Sequence, residues 1–119
     1  MPTIADLKRL AEVEFADIVE DTFFIAYKLR LVLIDNSFID VNISKKIPDK
    51  FGFHWECRDA AGTIYRYDNF PDNNWKNIST FPFHFHKGTQ ENVEASPFPQ
   101  TDVDGFRSFL EFIRNKLKG

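Results

Sequence analysis

Apolar and polar residues alternate in four separate segments of this chain, and this alternation constrains the fold more than any other feature. The segments cover residues 38–44, 51–58, 63–69 and 81–86, and turn-forming residues lie between most of them. Successive side chains of an extended strand point to opposite faces, so the alternation predicts strands with one apolar and one polar face. Such strands typically form an antiparallel sheet that buries one face and leaves the other polar.

A fifth extended segment and a first helix precede these strands. Residues 24–34 are rich in aromatic and branched residues and end at a turn signal, which predicts a strand paired with the next segment. Residues 92–95 could add a short strand near the end of the sheet. Apolar residues recur at helical spacing over residues 4–19, after a capping-box pair formed by Thr3 and Asp6.

The apolar spacing near the end of the chain predicts a second amphipathic helix, capped by Thr101 or Asp102. Acidic residues precede its apolar stripe and basic residues follow it, as the helix dipole favours. We therefore predict an α+β fold in a single domain over residues 1–119. It consists of a curved antiparallel sheet of about five strands, with the N-terminal and C-terminal helices packed on one face. The apolar stripe of the second helix consists of Phe106, Phe109, Leu110, Ile113 and Leu117.

Composition limits the classes of function and the cellular setting. Fourteen of the 119 residues are Phe, which predicts a small core packed with aromatic rings. The formal net charge is −3, so any contact with nucleic acid needs a local basic groove. Cys57 is the single cysteine, which favours a reducing, cytoplasmic location. The N-terminal segment carries too many acids for a signal peptide, and we expect no membrane association.

The three histidines of the chain fall on predicted strands. In the segment 81–86, phenylalanine alternates with His84 and His86, so the two imidazoles share one face. Imidazole titrates near neutral pH and can transfer protons, bind phosphate or hold a metal ion. The register of the sheet decides which neighbours join them. If the hairpin alternation holds, the polar face carries His54, Glu56, Arg66, Asp68, His84 and His86.

Three interpretations of this face are open. In the first, the histidines act as acid and base in phosphodiester cleavage without a metal, Arg66 holds the phosphate and Asp68 orients a histidine or Arg66. Tyr65, Tyr67 and Trp75 would then stack on bases. In the second, His84 and His86 bind a metal ion together with Glu56 or Asp68. In the third, all these residues form a solvated or structural polar cluster.

Two motifs resemble the TumE family of toxins. Tyr65–Pro71 is similar to the family's R-x-D-N-x-P strand end, and Thr80–Lys87 is similar to its F-P-H-H-x-H strand. The turn at Leu33–Ser37 and the terminal helix also resemble the family, and the similarity covers roughly residues 22–117. The chain departs from the family pattern at residues 72–74, where no histidine stands, and at Phe83, which replaces the first histidine of the second motif.

The resemblance implies the toxin of a type II toxin–antitoxin module, with a cognate antitoxin protein as partner and RNA as a candidate substrate. From the Phe/His alternation beside the Arg66–Asp68 strand, we predict that His84, His86, Arg66 and Asp68 are catalytic, in a ribonuclease that needs no metal or other cofactor. Binding roles fall to Tyr65, Tyr67, Asn69, His54 and Trp75. The departures favour an alternative, a non-catalytic protein-binding module or a degenerate toxin with a structural or metal-binding histidine pair.

Overall fold

A computed structural model describes residues 3–44, 50–57, 63–69, 83–89, 92–95 and 102–118, apart from the side chains of His84 and Asp102. Helix α1 comes first, a run of seven strands follows in this part of the chain, and helix α2 comes last. In chain order, the elements are α1 (Ile4–Glu14), β1 (Val19–Ile25), β2 (Lys28–Leu33), β3 (Phe38–Ile43), β4 (Phe51–Cys57), β5 (Thr63–Asp68), β6 (His84–Gly88), β7 (Val93–Ala95) and α2 (Asp102–Lys118).

The strands form one open antiparallel sheet in which each strand pairs with the next in the sequence. The α+β class is confirmed, but the number of about five strands is wrong, because the described sheet has seven. The segment predicted as one strand over residues 24–34 is part of a tight hairpin. It turns at Ala26, which adopts a φ of 52° without the Gly or Asn that normally indicates such a turn.

The other element boundaries lie near the predictions. Strands β3, β4 and β5 match the predicted segments, and residues 93–95 form the short additional strand. Of the strand predicted over residues 81–86, only the part from His84 is a described strand, and Phe81 and Pro82 lie outside the described residues. Helix α1 has the predicted capping box, in which the Thr3 amide donates to Asp6 Oδ2 at 2.8 Å and the Asp6 amide donates to Thr3 Oγ1 at 3.2 Å.

Helix α1 ends at Glu14 rather than at residue 19, but the apolar residues beyond its end still reach the core. Phe15 and Ile18 are both buried, and the Phe15 amide closes the helix on the Ala11 carbonyl at 3.1 Å. The apolar stripe therefore identifies core positions correctly, while the chain already leaves the helix to begin β1.

Both helices pack against one face of the sheet, and aromatic rings fill the space between them. Phe53, at the centre of the sheet, has its ring centroid 5.1 Å from that of Phe106 and 6.0 Å from that of Tyr67. The predicted aromatic core is thus present, and the opposite face of the sheet is left for polar residues. The sheet contributes Leu29, Leu31, Val41, Phe53, Tyr67 and Phe85 to this core, and the helices contribute Leu7, Ala11, Phe106, Phe109, Leu110 and Ile113.

Candidate functional site

A row of charged and titratable residues crosses the sheet on the face opposite the helices. Arg30 on β2 pairs with Asp40 on β3, Asp40 with His54 on β4, His54 with Arg66 on β5, and Arg66 with His86 on β6. Directly opposed residues project to the same face, and most of their chain neighbours are core residues that project to the other face. We call these five residues the polar row.

Asp68 is the residue on which two members of the polar row converge. The Arg66 Nε donates to Asp68 Oδ2 at 2.6 Å, and the His86 Nε2 lies 3.8 Å from the same oxygen. The Asp68 residue is only 2% exposed, so these charge interactions are shielded from water. Its cross-strand partner on β4 is Gly52.

His54 lies in a mostly buried position between Arg66 and Glu56. Burial lowers the pKa of His54 below its usual value, and the positive charge of Arg66 lowers this pKa further. Glu56 opposes the shift, and its Oε1 lies 3.5 Å from His54 Nε2. Because the net pKa shift is downward, the His54 imidazole is neutral at neutral pH and can accept a proton.

A groove of about 400 Å³ lies over this face, on the side of the polar row that runs from β2 to β5. Three basic side chains reach it, those of Lys28, Arg30 and Arg66, and they are 38%, 26% and 31% exposed. A groove with several cations is a suitable site for an anionic ligand such as a phosphate. The described lining residues are Lys28, Arg30, Phe38, Asp40, Asn42, Gly52, His54, Glu56 and Arg66.

The β2–β3 end of the groove is held by a compact ion cluster. Arg30 donates to Asp40 twice, from Nε to Oδ1 at 2.8 Å and from Nη2 to Oδ2 at 2.9 Å, and Lys28 Nζ donates to Oδ2 at 2.8 Å. Burial raises the pKa of Asp40, but the hydrogen bonds from Arg30 and Lys28 outweigh it and keep this pKa below its usual value. The Arg30 guanidinium also stacks on the Phe38 ring, with its Cζ 3.9 Å from the ring centroid.

Comparison with known protein families identifies the chain. Residues 4–117 match the family described as Toxin TumE. The chain belongs to the TumE toxin family. The resemblance seen in the two sequence motifs is therefore confirmed. No curated protein and no solved structure matches the chain.

Membership of the TumE family suggests the toxin component of a toxin–antitoxin system, with an antitoxin as its partner. Among the described residues, no helix is long and apolar enough to cross a membrane.

The structure brings together most of the residues predicted for the polar face. His54, Arg66, Asp68 and His86 lie on one face, beside Glu56. For His84, the backbone pairs with Asp68, and its side chain lies outside the described atoms.

Three of the residues predicted to have binding roles, Tyr65, Tyr67 and Asn69, do not join this group. Tyr65 and Tyr67 lie on the helix-covered face, where Tyr67 is fully buried and Tyr65 stacks on Trp55, so Tyr67 has no exposed ring for a base. The Asn69 Oδ1 accepts from the Phe51 amide at 2.9 Å, which closes the β4–β5 pair. Trp75 lies outside the described residues.

Sequence reasoning missed the contribution of β2 and β3 to the groove. Lys28 and Arg30 interrupt an otherwise apolar segment, and this was the available signal for a strand with a charged face. Asp40 alternates with Ile39 and Val41, which was a second signal. The pairing of Arg30 with Asp40 became clear only once β2 was separated from β1 and its register was known.

The metal interpretation stays a prediction. Among the side chains that the structure describes, no three His, Cys, Asp or Glu residues are grouped closely enough to hold a metal ion. The predicted ligand set includes His84, whose side chain is not among them.

Proposed function

We propose that this TumE-family protein is a toxin that cleaves RNA with the polar face of its sheet. The observation that supports this proposal is the order of three cross-strand partners, in which Arg66 stands between His54 and His86. Phosphodiester cleavage by the neighbouring 2′-hydroxyl needs a base, an acid and a cation that stabilises the charge on the phosphate. These three residues supply all three types of group.

The spacing of the strands suits this task. Neighbouring strands lie about 4.8 Å apart, so the backbones of the two histidines are separated by roughly 10 Å, with the arginine between them. A phosphate held by Arg66 would therefore have one imidazole on each side. A base and an acid on opposite sides of the phosphorus are what an in-line displacement requires.

The environments of the two histidines suggest their roles. His54, whose pKa is lowered, would accept the proton of the 2′-hydroxyl as its oxygen bonds to phosphorus. His86 would donate a proton to the 5′-oxygen as the bond from phosphorus to that oxygen breaks. The products would be a 2′,3′-cyclic phosphate and a 5′-hydroxyl end. Asp68 would position both Arg66 and His86 without contacting the substrate.

His84, whose backbone pairs with that of Asp68, was also predicted to be catalytic. It is a second candidate for the acid or the base, and its substitution by alanine distinguishes it from His54. Growth arrest that is lost in His84→Ala but retained in His54→Ala would assign the base to His84.

Growth of cells that express the protein without an antitoxin tests the proposal. Arg66→Ala and His86→Ala should relieve growth arrest, because the loss of a charge-stabilising donor or of a positioned acid lowers a rate by at least about 10²-fold. Arg66→Lys should relieve it in part, since lysine keeps the charge but not the two-pronged geometry. Arg9→Ala is the matched control, because Arg9 is exposed on α1 and should leave the arrest intact.

A second candidate function is a protein-binding module without catalysis, and one observation favours it. The buried Asp68 already pairs with Arg66 inside the protein, as a purely structural ion pair would. In that case, Arg66→Ala and His86→Ala would leave toxicity unchanged, provided that both variants fold and bind the antitoxin as the parent does. Such a result would contradict the ribonuclease proposal.

A further inference from the structure

The β2–β3 end of the groove contains groups that the proposed cleavage does not use. Arg30, Lys28 and Asp40 form a fixed ion cluster there, and Phe38 lies beneath the Arg30 guanidinium. The cluster carries a net positive charge, with two cations and one anion. A strand face that only contacts water does not need an aromatic ring beneath a charged cluster. This end of the groove is therefore a candidate for a second role.

The Arg30 guanidinium is held flat and in one place. Two hydrogen bonds to Asp40 fix its plane, and the Phe38 ring supports one of its faces at 3.9 Å. The Arg30 side chain is 26% exposed and lines the groove. A planar cation that is fixed in this way loses little conformational entropy when a flat ligand stacks on it.

A second aromatic ring extends this surface toward the edge of the sheet. Phe23 on β1 is the cross-strand partner of Arg30, and it is 39% exposed on the same face. An exposed phenylalanine beside a rigid guanidinium is unusual for a solvated strand, which would favour polar side chains. Single-stranded nucleic acids bind to such surfaces, in which aromatic rings and arginine planes stack on bases beside a cationic groove.

We propose that Phe23, Arg30 and Phe38 form a platform for a nucleobase of single-stranded RNA. This inference rests on the proposed function, since it extends the same groove away from the phosphate position at Arg66. Arg30 lies three strands from Arg66, roughly 14 Å at the backbone, so the base belongs to a nucleotide near the cleaved bond rather than to an unrelated site. The platform would supply the stacking surface predicted for Tyr65 and Tyr67, which lie on the helix-covered face, where Tyr67 is fully buried and Tyr65 is partly buried.

Binding of an uncleavable oligonucleotide tests the platform without catalysis. The probe is a short 2′-O-methyl RNA of mixed sequence, and its companion has the same backbone with abasic sites in place of the bases. Phe23→Ser and Arg30→Lys should each weaken binding of the first probe at least about fivefold, because one stacked base contributes that much or more. Neither substitution should change the affinity for the abasic probe by more than about twofold.

The two variants complement each other. Phe23 is exposed, so its replacement leaves the fold intact, whereas Arg30→Lys keeps the positive charge beside Asp40 but removes the plane. Arg107→Lys is the matched control, because this arginine pairs with Glu14 on the helix side and should bind both probes as the parent does.

Several outcomes would overturn the inference or separate it from the proposed function. Equal losses on both probes, or no loss on either, would show that no base stacks on the platform. Weaker binding by Arg66→Ala alone would leave the proposed function standing and remove the platform. Base-dependent binding without any cleavage of ordinary RNA would support the platform and overturn the ribonuclease proposal, while a parent protein that binds neither probe would overturn both.

Discussion

Asp68 connects the catalytic proposal to the stability of the fold. Its carboxylate is buried and interacts with Arg66 and His86, so its loss leaves two basic groups without their shared acceptor. A carboxylate of this kind fixes side chains in place at some cost in desolvation, which is typical of functional sites.

Replacement of Asp68 by asparagine should lower the free energy of unfolding by about 2 kcal/mol, because a charge-assisted hydrogen bond in a buried position is lost. Urea denaturation of the purified protein measures this change. The control is Asp104→Asn, since Asp104 is 65% exposed in its pair with Arg107 and should change stability by less than about 0.5 kcal/mol. Equal effects of the two substitutions would show that Asp68 has no special role.

His54 should make the stability depend on pH. Its pKa in the folded protein is lowered by burial and by Arg66, so the unfolded chain binds a proton at a higher pH than the folded one. Stability from this group is fully present above the unfolded pKa of about 6.5 and falls as the pH drops from there to the folded pKa. The slope cannot exceed about 1.4 kcal/mol per pH unit.

The difference in unfolding free energy between the parent and His54→Gln isolates this effect from the other histidines. We expect the parent to lose stability relative to His54→Gln as the pH is lowered from about 7 to about 5. A difference that stays constant over this range would contradict the assigned pKa direction of His54.

At the scale of elements, the sequence pattern did not predict the turn of the β1–β2 hairpin. The predicted strand over residues 24–34 contained the correct residue types, but its turn has Ala26 and Tyr27 in place of typical turn residues. Tertiary packing overrides local preference here, because Leu29, Leu31 and Leu33 are all buried in the core. The long alternating segments and the amphipathic α2 were predictable because their periodicity is repeated over many residues.

Ala26→Gly should stabilise the protein, because residue 26 has a φ of 52° and glycine adopts this conformation without steric cost. We expect a gain of about 1 kcal/mol in the free energy of unfolding. Ala26→Val is the counterpart, since a branched side chain at positive φ should destabilise the hairpin. Thermal unfolding of both variants measures the effect, and the same sign of change for both would contradict the turn geometry.

Helix α2 should contribute to stability mainly through its buried aromatic stripe. Phe109 is fully buried, and its ring lies 6.1 Å from that of Phe53 on the sheet. Phe109→Ala should lower the free energy of unfolding by about 3–5 kcal/mol, since a large cavity forms in the core. Val13→Ala is the matched control on α1, where Val13 is 70% exposed, and chemical denaturation should show only a small change for it.

At the scale of the whole molecule, two helices on one face of the sheet leave the other face to the polar row and its groove. The sequence allowed us to predict the α+β class, the aromatic core and the residue types of the polar face. The order Arg30–Asp40–His54–Arg66–His86 required the register of five strands, and a shift of one residue moves every side chain of a strand to the opposite face. The positions of Tyr65 and Tyr67 on the helix-covered face also depended on this register, and Tyr67 is fully buried there.

We propose that His54 and His86 flank a phosphate at Arg66 and cleave RNA. Incubation of the purified protein with RNA in the presence of a chelator, followed by analysis of the fragment ends, tests this mechanism. We predict fragments with 2′,3′-cyclic phosphate and 5′-hydroxyl ends, and a loss of at least about 10²-fold in rate for His86→Ala and His54→Ala. Cleavage at the parent rate by both folded variants, or no cleavage by the parent protein, would contradict the account.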